Sequence, residues 1–285
     1  MKSVLLDQFE KEGFVCCRRF TSVSSIAENV ERVIRDVVPC MLPEHVFYED
    51  QKQAETLKQL QLLQKYDAFF NELAQAGPFR ELAETLLVDS VVCKNIQYFN
   101  KPPQTGKATP PHQDGYYFKL APPHALTMWL ALEEVDIENG CVRYIPGSHK
   151  QGMRSHAATG TLGFSQGIVD FPTDEDRQKE IALIAAPGDL LVHHALTVHR
   201  ADANLSLTRS RRAIGFIFYA AQARVDSIAW ERYQEELKNE LIRDGKIWLR
   251  FILPKLFRFR IKTRFNRRIE HGKRSNRAIH TVLSR

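Results

Sequence analysis

The sequence contains few cysteines and no long hydrophobic run. Its 285 residues include five cysteines, an odd number without the spacing of a metal site or a disulfide framework. We therefore expect reduced thiols, which are typical of a cytoplasmic protein. No stretch of about 18 uninterrupted apolar residues is present, and the N-terminal residues lack the apolar segment of a secretory signal peptide. These absences argue against a membrane-spanning or secreted protein and favour the cytoplasm.

The net charge of +6 is unevenly distributed along the chain. Residues 245–285 hold 13 lysines and arginines and a single acidic residue, Glu270, which gives this segment a charge of +12. Positions 1–244 retain 27 of the 40 basic and 33 of the 34 acidic residues, which leaves a charge of −6. The isoelectric point near 9.0 therefore reflects the C-terminal segment and not the larger part of the chain.

Helical patterns flank the middle of the chain. After a short apolar run at residues 14–17, which predicts a strand, helical spacing extends from Ser24 or Ser25 to Val37, and Pro39 ends it. Residues 50–76 carry leucines and Phe70 at helical spacing among polar residues, which predicts one long amphipathic helix. A further helix is predicted over residues 222–243.

Between Val88 and Ala220 the pattern changes to short runs rich in Val, Ile, Thr and aromatic residues. Turn residues such as Asn139-Gly140 and Pro146-Gly147 separate these runs. Many short strands without intervening long helices favour a sandwich or barrel over a parallel α/β sheet. The predicted strands are 91–99, 126–132, 142–145, 181–184, 190–194 and 213–219.

One spacing suggests a metal site. His112 and Asp114 are two residues apart after Pro110-Pro111, and in extended backbone such residues point to the same side. An isolated His-x-Asp pair is more often a solvated loop, so a further ligand is needed. Downstream, Gly188-Asp189 begins a strand that contains two histidines, and a third histidine follows it. Two histidines and one carboxylate form a facial triad that suits Fe(II) and leaves open coordination positions.

These motifs together resemble the phytanoyl-CoA dioxygenase family. The resemblance rests on four segments in a fixed order, and it extends over roughly residues 9–219. It implies a mainly β fold with peripheral helices, built on a double-stranded β-helix (jelly-roll, cupin-like) core, and it implies Fe(II), 2-oxoglutarate and O2. The segments are Asn100-Lys101-Pro102-Pro103, His112-Gln113-Asp114, residues 138–149 and residues 188–213.

The resemblance also assigns residues. His112, Asp114 and His199 match the family's iron ligands, whereas His193 and His194 are interpreted as wall residues of the barrel. Arg211 matches the cosubstrate-binding arginine, and Gln97 and Trp129 match positions near the cosubstrate. One departure is Ala201, which stands where the family commonly has a hydroxyl residue that helps to hold the far carboxylate of 2-oxoglutarate.

Alternation along the last strand supports Arg211 independently. Ala213 and Gly215 share its face and are small enough to leave room for a ligand, whereas the face of Arg212 carries Ile214, Phe216 and Phe218, which are typical of packing. Arg209 falls in the preceding loop, where we expect it to be solvated.

The resulting hypothesis is a 2-oxoglutarate-dependent hydroxylase that releases succinate and CO2 and acts on a small-molecule or acyl substrate. Related halogenating enzymes have a small residue at the carboxylate position, so Asp114 favours hydroxylation. Two alternatives remain: a degenerate β-barrel binding protein that acts through its basic segment, and a metal enzyme that does not use 2-oxoglutarate. Residues 116–119 are candidates for the pocket mouth or for a packed loop.

The domain organisation follows from these patterns. We predict a single oxygenase domain over residues 1–244, with a helical part at 1–87, the β-helix core at 88–220 and a helix at 221–244. Residues 245–285 form a basic C-terminal extension that interleaves cationic and bulky apolar residues. This extension is a candidate for an anionic membrane surface, for an acidic partner, or for packing on the acidic body or a second subunit. No nucleic-acid-binding motif accompanies it.

Overall fold

Residues 2–161 and 164–243 are the part of the chain that the computed structural model describes. The basic extension at 245–285, with the predictions made for it, lies outside the described residues. The helices are α1 (Lys2–Glu12), α2 (Ser24–Arg32), α3 (Leu63–Tyr66), α4 (Ala68–Gln75), α5 (Pro78–Leu87), α6 (Gly115–Phe118), α7 (Asp174–Lys179) and α8 (Ser227–Arg243). A π-turn at Val33–Val37 and a 3-10 turn at Val38–Cys40 continue α2, and further 3-10 turns lie at Pro43–His45, Ala54–Thr56 and Ser148–Gln151.

The strands are short, and their bounds agree with most of the predicted runs. They are β1 (Phe14–Cys17), β2 (Val46–Tyr48), β3 (Leu57–Leu60), β4 (Val91–Lys101), β5 (Thr109–His112), β6 (Leu120–Ala121), β7 (Ala125–Ala131), β8 (Val142–Tyr144), β9 (His156–Thr161), β10 (Phe164–Ile168), β11 (Ile181–Leu183), β12 (Leu190–His194), β13 (His199–Ala201), β14 (Arg211–Ala220) and β15 (Arg224–Val225).

Two antiparallel sheets form the centre of the fold. The larger sheet has the order β1-β12-β7-β14-β4-β3-β2, and the smaller has the order β11-β8-β13-β5. Phe14, Trp129 and Leu191 of the larger sheet form one buried cluster with Val142 and Tyr144 of the smaller. The two sheets therefore pack face to face, as in the predicted jelly-roll, and the prediction of a mainly β core with peripheral helices is confirmed.

The helices cover the other face of the larger sheet. Side chains of α2, α4 and α5 share the main hydrophobic cluster with alternate residues of β7 and β14. Ile214, Phe216 and Phe218 are fully buried there, which confirms the packing face predicted for β14. Because successive residues of a strand point to opposite faces, Arg211, Ala213 and Gly215 lie on the face between the two sheets.

The prediction of one long helix over residues 50–76 is wrong. Residues 57–60 form β3, which pairs with β2 and β4, and all four are buried. The polar residues that suggested a solvated helix face are partnered inside the fold: Lys58 Nζ lies 3.3 Å from Glu49 Oε1, and Gln59 donates to Gln97. The helical pattern belongs to α3 and α4, and the side chain of Asp67 caps α4 by accepting a hydrogen bond from the backbone N–H of Phe69.

The C-terminal helix begins later than predicted. The chain divides into a unit that ends at Asp226 and a second unit that begins at Ser227, and α8 starts at this boundary and not at residue 222. The strand β15 at Arg224–Val225 occupies the intervening residues and pairs with β6. The predicted division into a domain at 1–244 and an extension at 245–285 stays a prediction. Over the described residues, none of the helices combines the length and apolar character needed to cross a bilayer.

The contact between α5 and the larger sheet gives a prediction about stability. The ring of Phe79 stacks on Phe216 at a centroid distance of 4.2 Å, and Phe79 is 2% exposed. Phe79→Ala is expected to lower the free energy of unfolding by about 3 to 5 kcal/mol, because a buried aromatic ring is replaced by a cavity. Urea denaturation measures the change. Leu205→Ala is the control, since Leu205 is 72% exposed and its loss should cost no more than about 0.5 kcal/mol.

Candidate metal centre

His112 and Asp114 lie where β5 ends and α6 begins. His112 is the last residue of β5, and Asp114 has helical backbone angles, φ −58° and ψ −34°, directly before α6. The two side chains therefore converge because the chain turns between them, and not through the extended spacing that the sequence suggested. Between them, the buried amide of Gln113 donates to the carbonyls of Gly152 and Leu196. This amide ties the loop to the segment that precedes His199.

His199 reaches the same point from the neighbouring strand. It lies in β13 directly opposite His112 of β5, and the two imidazole rings are 4.2 Å apart between centroids. Side chains at opposed positions of adjacent antiparallel strands are the closest cross-strand neighbours. The pairing of β5 with β13 thus brings together two histidines that are 87 positions apart in the sequence.

The ligand atoms of these three residues meet in a small volume. One ligand atom from each of His112, Asp114 and His199 lies within 4.8 Å of the others. Asp114 Oδ1 is 3.4 Å from His112 Nε2 and 3.8 Å from His199 Nε2. His112 and His199 are 1% and 8% exposed. The arrangement offers one carboxylate and two imidazoles to a single ion.

The second nitrogen of each histidine fixes the form of its ring. His112 Nδ1 lies 2.8 Å from the carbonyl of Pro110, and His199 Nδ1 lies 3.0 Å from the carbonyl of Thr197. A carbonyl only accepts, so in neutral imidazole the proton is on Nδ1 and the lone pair is on Nε2, the nitrogen that faces Asp114. A metal-ligating histidine is usually held in this way.

Electrostatics favour the metal-binding form of Asp114 and of His199. Burial raises the pKa of Asp114, but the surrounding imidazoles of His112, His193 and His199 outweigh it and hold that pKa well below its usual range. Burial, followed by the repulsion of His112 and His193, lowers the pKa of His199 well below its usual range. An ionised carboxylate beside a neutral imidazole is the donor pair that a divalent ion requires.

His193 lines the inner wall outside the ligand cluster, and it also contacts Asp114. Its Nε2 lies 3.1 Å from Asp114 Oδ2, and its ring centroid is 4.2 Å from that of His199. The hydroxyl of Thr127, directly opposite His193 in β7, also donates to Asp114 Oδ2. His194 lies on the opposite face of β12, with its ring against Phe9. Alternation along β12 signals that only one of the two histidines points between the sheets, but the sequence does not show which one.

Arg211 is a buried cation on the same inner face. It is 5% exposed, its guanidinium carbon is 5.2 Å from the centre of the Trp129 ring, and its Nε has no hydrogen-bond partner within the part of the chain that is described. Burial lowers the pKa of this guanidinium to about 10, so it is still protonated near neutrality. A buried cation without a carboxylate partner is a site that an anionic ligand would complete.

The other residues predicted for the cosubstrate, Gln97 and Trp129, lie on strands β4 and β7, which flank β14. Gly215 of β14 is directly opposite both Trp129 of β7 and Gln97 of β4, so all three are on one face. Gln97 Oε1 accepts a hydrogen bond of 2.6 Å from the amide of Gln59. The space beside Gly215 is already filled, because an added Cβ would lie 2.6 Å from the ring of Phe99. The room expected beside Gly215 is therefore absent.

Lys101 is a second buried cation that the sequence analysis did not single out as a site residue. It is directly opposite Arg211 in β4, is 3% exposed, and donates its ammonium to the carbonyl of Lys107. Burial and the charge of Arg211 lower its pKa well below the usual value. Arg209 is solvent-accessible, as expected, with its side chain 38% exposed, and it forms ion pairs with Asp136 and Glu138.

Comparisons with known proteins agree with this geometry. The Arabidopsis thaliana phytanoyl-CoA dioxygenase is 30% identical over 152 residues, 53% of this chain and 52% of that protein. The peroxisomal phytanoyl-CoA dioxygenase of Rattus norvegicus is 27% identical over 195 residues, 66% of this chain and 56% of that protein. The chain thus spans about half the length of these curated relatives.

Solved structures share the fold. EctD from S. alaskensis, crystallised with 2-oxoglutarate and 5-hydroxyectoine, has a TM-score of 0.66 at 17% identity and covers 79% of this chain and 78% of its own. The epimerase SnoN from nogalamycin biosynthesis, in complex with Fe3+, alpha ketoglutarate and nogalamycin RO, has a TM-score of 0.62 at 22% identity, with 79% and 85% covered. Residues 9–213 match the phytanoyl-CoA dioxygenase family, and the chain belongs to that family.

Proposed function

We propose that this protein is an Fe(II)- and 2-oxoglutarate-dependent oxygenase that hydroxylates an unactivated C–H bond of a small-molecule or acyl substrate. The observation that carries the proposal is the buried cluster of His112, Asp114 and His199 on the same inner face as Arg211, whose Nε has no hydrogen-bond partner among the described residues. A divalent ion and a dicarboxylate are the ligands that these two features fit.

The donor set favours iron over a structural metal. Two neutral imidazoles and one carboxylate form a facial set, which leaves positions for a bidentate cosubstrate and for O2, whereas structural zinc sites are usually closed by four protein ligands. When bound, Fe(II) with 2-oxoglutarate supplies O2 activation, with succinate and CO2 as coproducts and a hydroxyl for the substrate. His112, Asp114 and His199 would hold the metal, and Arg211 would orient the cosubstrate.

The register of the sheet indicates how the cosubstrate would lie. The guanidinium of Arg211 extends along the strands to Trp129, and Thr127, two residues beyond Trp129 on the same face, donates to Asp114. A dicarboxylate placed along this line would meet the metal ligands at one end and Arg211 at the other. Arg211 would bind the far carboxylate through two parallel hydrogen bonds. Lys101, opposite Arg211 in the neighbouring strand, and Gln97, opposite Gly215, are further polar side chains on this face.

The segment after the metal motif is packed. Tyr116 stacks on His156 with centroids 4.3 Å apart, and the ammonium of Lys119 lies 3.5 Å from the centre of the Tyr116 ring. The hydroxyl of Tyr117 donates to the carbonyl of Gln166. We propose that α6 forms a wall of the substrate pocket next to His112, whose ring is 6.0 Å from that of Tyr117. A small-molecule substrate and O2 are the partners that this proposal requires.

Cellular location is a separate proposal. The free cysteines of the described residues, of which Cys16 and Cys17 are partly buried, support a reducing compartment, and we propose the cytoplasm. Self-association or attachment to an anionic membrane through residues 245–285 stays a prediction.

An anaerobic titration tests the proposed function. Adding 2-oxoglutarate to the Fe(II)-loaded protein is expected to produce the weak visible charge-transfer band of the iron chelate, because the metal and the cosubstrate are held together. Fe(II) without 2-oxoglutarate, and 2-oxoglutarate without Fe(II), are the controls. Metal binding without the band would favour a metal enzyme that does not use 2-oxoglutarate. Absence of metal binding would favour the degenerate binding protein.

A further inference from the structure

His193 is a third histidine in contact with Asp114. It lies in β12, opposite Thr127 of β7 on one side and Phe14 of β1 on the other, and it is 3% exposed. Its Nε2 is 3.1 Å from Asp114 Oδ2. Neither the family match nor the predicted ligand set gives it a role.

The two oxygens of Asp114 have different partners. Oδ1 is the oxygen closest to His112 and His199, at 3.4 and 3.8 Å. Oδ2 accepts a hydrogen bond from the hydroxyl of Thr127 and faces Nε2 of His193. The carboxylate is therefore held by hydrogen bonds through one oxygen, while the other points at the candidate metal position.

Tyr144 fixes the tautomer of His193. The hydroxyl of Tyr144 lies 2.9 Å from His193 Nδ1, and the Tyr144 ring is itself held by stacking on Phe14 at 4.7 Å. The carboxylate oxygen only accepts, and the Tyr144 hydroxyl can donate, so a neutral His193 with its proton on Nε2 satisfies both contacts. Nδ1 then accepts a hydrogen bond from the hydroxyl of Tyr144. His112 and His199 have the opposite tautomer, because their Nδ1 atoms donate to carbonyls.

We propose that His193, with Tyr144 behind it, is a positioning residue that holds Asp114 as a one-oxygen ligand of the metal. The bond from Nε2–H to Oδ2, together with that of Thr127, keeps the second oxygen from the ion. A coordination position that a two-oxygen carboxylate would occupy is thereby kept for small oxygen-bearing molecules. The inference rests on the proposed metal site at His112, Asp114 and His199.

The same contacts argue against His193 as a fourth ligand. Its Nε2 would have to lose its proton and turn from Asp114, and the hydroxyl of Tyr144 would then have to accept from Nδ1. The ligand-atom cluster of the described residues comprises His112, Asp114 and His199 without His193. Two coordinated imidazoles are expected, not three.

Metal titration of three full-length variants with Co(II), a spectroscopic probe for Fe(II), tests the proposal. His193→Phe keeps an aromatic ring, although a larger one, and removes the donor; it is expected to weaken Co(II) binding by about 10- to 100-fold, the usual effect of losing an outer-shell partner. His193→Gln keeps an N–H donor and should restore affinity to within about threefold of the parent protein. Tyr144→Phe should change affinity in the same direction as His193→Phe but by less.

Controls separate positioning from folding. His194→Phe changes the neighbouring histidine on the other face of β12, and Co(II) affinity should be unchanged. Circular dichroism and thermal melting report whether each variant is folded. If His193→Phe does not fold, the comparison of His193→Gln and Tyr144→Phe with the parent protein still decides the question, because both retain side-chain volume.

The number of coordinated imidazoles is measured on the Cu(II)-loaded protein. Pulsed electron paramagnetic resonance should count two coordinated imidazoles in the parent protein and in His193→Phe, with a changed spectrum in the variant. Three imidazoles in the parent protein, or a variant with the affinity and spectrum of the parent, would overturn the inference while leaving the proposed function intact. If the parent protein bound neither Co(II) nor Cu(II), both would fail together.

Discussion

His199→Ala is expected to abolish metal-dependent turnover, with a loss of at least about a thousand-fold, equal to about 4 kcal/mol in the activation barrier. His199 supplies one of the two imidazoles of the cluster, and its Nε2 is 3.8 Å from Asp114 Oδ1. Alanine leaves a two-ligand site, which holds a divalent ion weakly. The measurement is succinate formation with Fe(II), O2 and 2-oxoglutarate, together with the iron content of the protein after anaerobic reconstitution.

The matched control is a histidine outside the cluster. His124 lies in a loop and pairs with the amide of Gln222 at 2.7 Å, so His124→Ala removes the same group without touching the candidate metal centre. Turnover and iron content should equal those of the parent protein. His199→Ala with parental succinate formation and parental iron content would contradict the assignment of the metal ligands, since no second histidine of β13 is available to replace it.

The sequence predicts the strands of the core well because their alternation is visible in single segments. β12 and β14 are identified from runs of Val, Ile, Leu and aromatic residues, and the inward face of β14 follows from period two. β3 is missed for a physical reason. Lys58 and Gln59 look like solvated helix residues, and only the distant partners Glu49 and Gln97 make them buried strand residues. Single-sequence patterns contain no information about such partners.

The candidate metal ligands could be predicted from the sequence, whereas the contacts that support them could not. His112 and Asp114 are neighbours in the sequence, and the family resemblance adds His199. Their convergence depends on the turn at Asp114 and on the pairing of β5 with β13, neither of which a linear spacing contains. The contacts of His193 are not visible in the sequence because its partners Asp114 and Tyr144 are 79 and 49 positions away. Polar pairs between strands of different sheets become visible only when the sheets are in place.

Arg211→Met is expected to weaken the binding of 2-oxoglutarate by roughly 100- to 1000-fold, equal to about 3 to 4 kcal/mol. The variant leaves one carboxylate of the cosubstrate in a buried position without a cation. The measurement is the dissociation constant of 2-oxoglutarate for the Fe(II)-loaded protein under anaerobic conditions. The dissociation constant of Arg211→Lys should lie between those of the parent protein and Arg211→Met, because an ammonium retains the charge but not the two parallel hydrogen bonds of a guanidinium.

Arg211→Met should not lose stability, although it loses affinity for 2-oxoglutarate. Burial lowers the pKa of Arg211 to about 10, which means that the fold without a ligand disfavours its charge. Replacing it with methionine should therefore leave the free energy of unfolding of the unliganded protein unchanged or raise it by up to about 2 kcal/mol. A residue retained against stability is typical of a binding site. Loss of stability in Arg211→Met would indicate a structural role instead.

Arg212 provides the comparison within the same strand. It points to the other face of β14, where its guanidinium lies 2.8 Å from Glu133 Oε1 and also contacts Glu31. Arg212→Met removes ion pairs that are partly exposed, so it should lower the free energy of unfolding by about 1 kcal/mol and leave the affinity for 2-oxoglutarate within about twofold. The two variants would then differ in both measurements. Arg211→Met would lose affinity for 2-oxoglutarate without losing stability, whereas Arg212→Met would lose stability without losing affinity. Equal losses of cosubstrate affinity in the two variants would mean that general charge, and not the inward face of β14, attracts the dicarboxylate.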